Sequence, residues 1–255
     1  MIILGMEASA KVAGAALYRD GQIVTEQMRN GTLTHSETLM PMIEAVIRDA
    51  GLQPEDLDAI AVTNGPGSFT GLRIGAATAK GLALALRIPI VPVPTLYALA
   101  MNLWGTEDLI VPMMDARRHQ VYASIYDPRQ DDQGEPSRIL PEDTYAPSVL
   151  IEEIRKAGRR AVLVGDGAVV YYGMMKDALG EMVRLAPAHL LHARAATLCA
   201  IGANRLAGGL ANALAEGKAV SGSELEIHYL RKPQAERERE ARLAEQQFGG
   251  QGAAE

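Results

Sequence analysis

A single cysteine, Cys199, stands among 255 residues, together with one tryptophan and two phenylalanines. One thiol excludes an intramolecular disulfide framework and a Cys-rich zinc site, which points to a reducing compartment, the cytoplasm. Aromatic residues make up only 4%, too few for a base-stacking surface, and a net charge of −6 gives no overall field that attracts a polyanion. Any nucleic-acid role is therefore expected to run through a partner. Met1–Glu7 lacks a basic n-region, and its apolar run is too short for the core of a signal peptide. Long apolar runs are also missing: Gly81 to Trp104 is broken by Arg87, Pro89, Pro92 and Pro94, whereas a spanning helix needs roughly 20 uninterrupted apolar residues. No membrane segment is expected.

What is present is an ordinary globular balance, 48% apolar and 22% charged, which excludes a disordered or fibrous chain. The length favours two half-size lobes over one large core. Apolar runs on either side of Asp20-Gly21 predict a hairpin within an opening three-strand meander. Leu39, Ile43, Val46, Ile47 and Ala50 recur at helical spacing up to Gly51, so Thr34 to Ala50 is expected to be an amphipathic helix. Leu57–Thr63 is a buried strand by pattern, and Ile88–Pro94 an edge strand, because proline forfeits a ladder donor. Helix is expected from there to about Trp104. The pattern restarts at Asp108 with two paired strands, Leu109–Met114 and Gln120–Tyr126. The expected domains are 1–106 and 107–232, followed by a charged tail over 233–255. Asp127 to Asp143 is a loop by composition, Ala161–Gly167 a strand running into a turn, and Ala193 to Gly208 a helix.

Between Asn64 and Gly75 several glycines and a proline mark a strand-to-helix junction, where the free amides of a first helical turn can cradle an anion. The Walker loop fails, because Gly71 is followed by Leu72-Arg73 rather than Lys and Ser or Thr. The dinucleotide fingerprint fails too, since Gly65, Gly67 and Gly71 are one residue too widely spaced. The alternative is that these glycines only make a tight turn and let a small-residue helix pack closely.

The run Gly65-Pro66-Gly67-Ser68-Phe69-Thr70-Gly71-Leu72-Arg73-Ile74-Gly75 resembles the signature of the TsaB (YeaZ) family of tRNA threonylcarbamoyladenosine (t6A) biosynthesis proteins. The resemblance extends through Met114-Asp115-Ala116-Arg117, Gly165-Asp166-Gly167 and Tyr229-Leu230-Arg231, covering residues 1 to about 232. It implies an α/β fold of two RNase H-like lobes, of the actin, sugar-kinase and heat-shock-70 superfamily. It also implies a non-catalytic scaffold for the transferase TsaD, which modifies adenosine 37 of tRNAs reading ANN codons. The ATPase TsaE would join, tRNA would be met indirectly through the complex, and the chain alone would form a homodimer. No firmly held cofactor is implied; ATP or ADP with Mg²⁺ would enter at the level of the complex.

The resemblance also suggests nucleotide-binding positions: Glu7, Gly65, Gly67, Ser68 and Thr70 in the first lobe, and Asp115, Gly165 and Asp166 in the second. Glu7 stands where superfamily enzymes carry the aspartate that manages magnesium. The paralogue's metal-binding histidines correspond to positions near Thr95 and Leu99, which offer no donor, so no metal is expected. His189 and His192 lack a third ligand nearby, no G-x-S-x-G elbow exists, and Cys199 lies among alanines as a packed small residue. The two signature-flanking helices are, by resemblance, the surface for TsaD or for a second copy, and on them lie His35, Leu39, Met42, Ile43, Val46, Leu72, Arg73, Ala76 and Lys80. The alternative is that both helices are buried within the chain. A metallopeptidase and an ATPase or small-molecule kinase are the competing functions.

Overall fold

The computed structural model describes residues 1–31, 34–130 and 136–231. The expected charged tail lies outside the described residues. Strands β1 (Ile2–Glu7), β2 (Val12–Arg19) and β3 (Gln22–Asn30) form the antiparallel meander. Its second turn, between β2 and β3, places Asp20 at φ 48° and Gly21 at φ 96°, the two positive dihedrals that a type I′ hairpin turn requires. Strands β4 (Ala59–Gly65) and β5 (Ile90–Pro94) add in parallel, giving the order β3-β2-β1-β4-β5. The proline-rich β5 is at the edge, as its missing donors require. One reciprocal pair of bonds between Ile90 and Val220, each 2.8 Å, partly covers it.

The second sheet repeats this plan. Antiparallel β6 (Leu109–Asp115), β7 (Val121–Gln130) and β8 (Pro136–Tyr145) are joined by parallel β9 (Ala161–Val164) and β10 (Val183–Leu185), in the order β10-β9-β6-β7-β8. Each sheet thus has its first strand in the middle, its second and third to one side and its fourth and fifth to the other. These are two RNase H-like units. The segment expected to be a loop over Asp127–Asp143 instead forms most of the β7–β8 hairpin. Its residues serve the strands: Asp127 accepts from Arg129 and from Arg159 Nη1 at 2.6 Å, Leu140 O accepts from Ser124 Oγ, and Glu142 accepts from Tyr126 Oη. Because β8 is a largely exposed edge strand, its composition resembles that of a loop.

Helices α1 (His35–Asp49) and α2 (Phe69–Leu86) pack on one face of the first sheet, where Leu4, Met6, Ala15, Leu17 and Ile60 meet Leu39, Ile43, Val46, Ala76 and Ala79. Thr34 N donates to Glu37 at 2.9 Å, closing the first turn of α1. Helix α3 (Thr95–Met101) is shorter than expected. Helices α4 (Pro147–Ala157) and α5 (Asp166–Leu179) cover the second sheet, and α5 follows directly where a turn is expected after β9. Helix α6 (Ala195–Leu206) is followed by the short α7 (Leu210–Ala215).

The sheets separate cleanly at Asp108, but the cores do not. Helix α6, from the second half of the chain, packs on the other face of the first sheet, joining Leu198 and Ile201 to Ile3, Ala59, Ala61 and Val91. Helix α3 and the turn that follows it, from the first half, place Leu96, Leu99 and Leu103 against Ile110, Met114, Tyr126, Val162 and Val164 of the second sheet.

Candidate functional site

The signature junction is filled by the chain itself. Ser68 N donates to Ser9 O at 2.6 Å, and Ser68 Oγ caps α2 by accepting from Gly71 N at 3.3 Å. A Cβ on Gly67 would collide with the carbonyl of Ser9, one on Gly71 with that of Ala8, and one on Gly75 would stand 3.3 Å from the Ala8 methyl. The glycines therefore bring the first turns of α2 down onto the β1–β2 connection. Gly65, at φ +119°, has the His228 carbonyl where a side chain would project. Thr70 is exposed on the first turn and takes no part in this packing. Of the two readings open from sequence, close packing is the one this geometry fits.

Glu7 ends β1 and is 1% exposed. Its Oε1 accepts from Ser9 N at 2.6 Å and from Ser9 Oγ, while Oε2 is buried without a hydrogen-bond partner. Burial outweighs the Ser9 hydrogen bonds and raises its carboxyl above the usual carboxylate range. A Mg²⁺–nucleotide site needs an accessible carboxylate and a loop standing clear of its neighbours. Glu7 is not accessible, and Gly65 and Gly67 are closed on by the backbone of His228 and Ser9, so these three do not fit that group; Ser68 and Thr70 remain exposed beside them.

In the second lobe Asp166 Oδ1 accepts from Gly167 N at 2.9 Å and Asp115 N at 3.3 Å, tying the start of α5 to the end of β6. Gly165 and Gly167 allow this, since side chains there would strike the backbone of Met113 and Met114. Burial, with Asp115 nearby, raises the Asp166 carboxyl. Asp115 Oδ1 accepts from Arg117 N at 2.9 Å. Asp115, Gly165 and Asp166 thus make a structural knot. Burial lowers His192 against the opposing pull of Asp166. No group of three or more His, Cys, Asp or Glu among the described residues could hold a metal ion.

Beyond Asp115 the chain does something costly. Arg117, Arg118 and His119 are consecutively left-handed, at φ 63°, 54° and 57°, a conformation that costs a non-glycine residue roughly 1–2 kcal/mol. The turn is closed by Ala116 N donating to Gln120 O at 3.0 Å and Gln120 N to Arg117 O at 3.1 Å.

The segment 225–231 straps the halves together, a role the Tyr229-Leu230-Arg231 motif did not disclose. Leu225 enters the first core. His228 N donates to Asn64 O at 2.6 Å, and the Tyr229 ring packs 5.3 Å from that of Phe69. Arg73 lies 3.8 Å over the Phe69 ring and donates to Tyr229 Oη at 3.2 Å. Arg231 then reaches the second lobe, donating to Ala116 O at 3.0 Å and to Gln120.

The expected partner surface requires correction. Leu39, Met42, Ile43, Val46, Leu72 and Ala76 are buried in this chain's own core. The apolar face of α1 exceeds one stripe because it meets both the sheet and α2. His35 and Lys80 are half-buried and Arg73 is exposed; the buried Nε2 of His35 has no partner. Apart from polar residues and Pro41, what α1 and α2 expose is Met40, Ala77, Gly81, Ala85 and Leu84, the last at 80%. A Cβ on Gly81 would meet open space. The spacing 77, 81, 84, 85 was available in the sequence as a second, weaker face. Cys199 packs with Sγ 3.5 Å from Ile3 O and Ala16 O, and burial pushes its thiol up. A groove of about 670 Å³ beside α3 and α6 is lined by Tyr97, Trp104, Ile23 and Ile201, with Arg194 bonded to Glu26. No helix among the described residues is long and apolar enough to cross a membrane.

A family model described as TsaD, tRNA N6-adenosine threonylcarbamoyltransferase, matches residues 29–239. The chain is 34% identical to the tRNA threonylcarbamoyladenosine biosynthesis protein TsaB of Bacillus subtilis, over 71% of this chain and 77% of that protein. It is 30% identical to the Escherichia coli TsaB, over 66% and 72% respectively. A crystal structure of a Pseudomonas aeruginosa protein described as similar to peptidase YeaZ superposes with a TM-score of 0.69 at 27% identity, covering 90% of this chain and 99% of that one. Together with the duplicated sheet order and the intact signature, these matches mean that the chain belongs to the TsaB (YeaZ) family of tRNA threonylcarbamoyladenosine biosynthesis proteins.

Proposed function

We propose that this chain serves t6A biosynthesis as the non-catalytic scaffold and activator of a TsaD-type transferase, docking through the exposed ridge of α1 and α2. The observation that carries this reading is the ridge itself: Leu84 stands 80% exposed beside Gly81, whose missing side chain serves no packing within the chain. A small-residue face with one projecting leucine suits close approach by another helix. The spent glycines and the buried Glu7 support a role without chemistry of its own. In this reading the complex works in the cytoplasm, recruits a TsaE-type ATPase and meets tRNA, and the same ridge pairs two copies when the transferase is missing. The metallopeptidase reading finds no ligand group among the described residues, and the kinase reading finds no open phosphate cradle.

Co-expression with the cognate TsaD homologue tests this. The two proteins should co-elute on gel filtration, and deleting this chain should abolish t6A in tRNA. Separate elution with t6A unchanged would end the proposal.

A further inference from the structure

We propose that the left-handed Arg117–His119 turn is a preformed prong through which this chain itself contacts phosphates of the tRNA in the assembled complex. The backbone is held from several sides: Asp115 Oδ1 accepts from Arg117 N, Gln120 closes the turn, and Arg231 of the strap grips Ala116 O and Gln120. The side chains, by contrast, are exposed. That of Arg117 is 82% exposed, with Asp115 Oδ2 3.4 Å away, and Arg118 and His119 are exposed with no hydrogen bond or ion pair among the described residues. A backbone fixed at three consecutive unfavourable dihedrals, with its side chains exposed and that of Arg118 unpaired among the described residues, is built for presentation rather than for packing.

The turn does not stand alone. Arg73 is in contact with Tyr229, and Arg231, whose Cα is at most about 7 Å from that of Tyr229 along the strap, holds the turn itself. Arg73, Arg231, Arg117 and Arg118 thus follow one another from the second turn of α2 to the second lobe, Arg73 bonded to Tyr229 and Arg231 to the turn, on a chain whose net charge is −6. Planar guanidinium groups match phosphate oxygens with paired hydrogen bonds, and a prepared turn spares the ordering cost of flexible lysines. The inference rests on the reading above, that the assembly acts on tRNA. It alters the expectation that the partner supplies all of the basic surface.

The test uses the reconstituted complex and a cognate tRNA transcript. Arg118→Glu, and Arg117→Glu with Arg118→Glu, are compared with wild type by filter binding from low to moderate salt. The double variant is expected to bind tRNA about 10-fold more weakly at low salt and to lower the slope of log K against log [salt] by about 1 to 2. Its gel-filtration profile with the transferase should stay unchanged. Unchanged affinity and slope in an intact complex would overturn the proposal. So would loss of assembly, which would assign the arginines to an acidic protein surface, or loss of Mg-ATP binding with tRNA affinity intact, which would assign them to a nucleotide. A wild-type complex that neither binds nor modifies tRNA would instead mark failure of the functional reading.

Discussion

At Gly71 the first turn of α2 crosses the carbonyl of Ala8 with no room for a methyl group. Gly71→Ala should cost about 2 to 3 kcal/mol, as overpacking at a rigid backbone contact does, read as a lowered urea midpoint. Stability equal to wild type would mean that the glycine is kept for a ligand instead. Glu7 gives a second test at this scale. Its folded carboxyl is raised above the ordinary 4.5, so above that pH the folded state holds more protons than the unfolded one. Stability attributable to this group therefore falls as pH rises from 4.5 through the folded value. Glu7→Gln keeps an acceptor for Ser9 and removes the ionisation; its advantage over wild type should grow from pH 4.5 to pH 8 in parallel urea titrations. A difference constant with pH would contradict the assignment.

Among the elements, α1 and α2 separate what periodicity can and cannot show. The sequence predicted both helices, and the expected bounds of α1, Thr34 to Ala50, agree with the structure to within a residue at each end. It could not say which apolar face was the outer one, because a buried stripe and a docking stripe obey the same spacing. Ile43→Glu, which from sequence alone looks like a change to the docking face alone, places a charge in the core and should cost about 4 kcal/mol or more. Leu84→Glu should change stability by less than about 0.5 kcal/mol and abolish co-elution with the transferase. Gly81→Ala should stabilise the isolated chain by about 1 kcal/mol through helix propensity alone. A circular dichroism melt paired with gel filtration distinguishes these outcomes; Leu84→Glu co-eluting normally would refute the ridge.

For the whole molecule, the exchange of α3 and α6 between the two sheets decides how it unfolds. A fragment of residues 1–106 would leave Ile3, Ala59, Ala61, Val91 and Val93 without the helix that covers them, and the interlobe face of α3 without its sheet. This fragment is expected to be unfolded or aggregated by two-dimensional NMR, and the full chain to melt in a single transition. A well-dispersed spectrum from the fragment would show that the first lobe is self-sufficient.

The sequence by itself determined the meander, the two helices around the signature, the proline-rich edge strand and the restart at Asp108, because each depends on local spacing, turn chemistry or a missing donor. It also carried the family, through an unbroken run from Gly65 to Gly75. Only the tertiary structure decided that those glycines close on Ala8 and Ser9, that Glu7 is buried, that Tyr229 and Arg231 strap the halves, and that Ile43 lies inward while Leu84 lies outward. These depend on contacts between segments far apart in the chain, between residues 8 and 71, 73 and 229, or 116 and 231, and no local pattern records which distant backbone will occupy the space a glycine leaves.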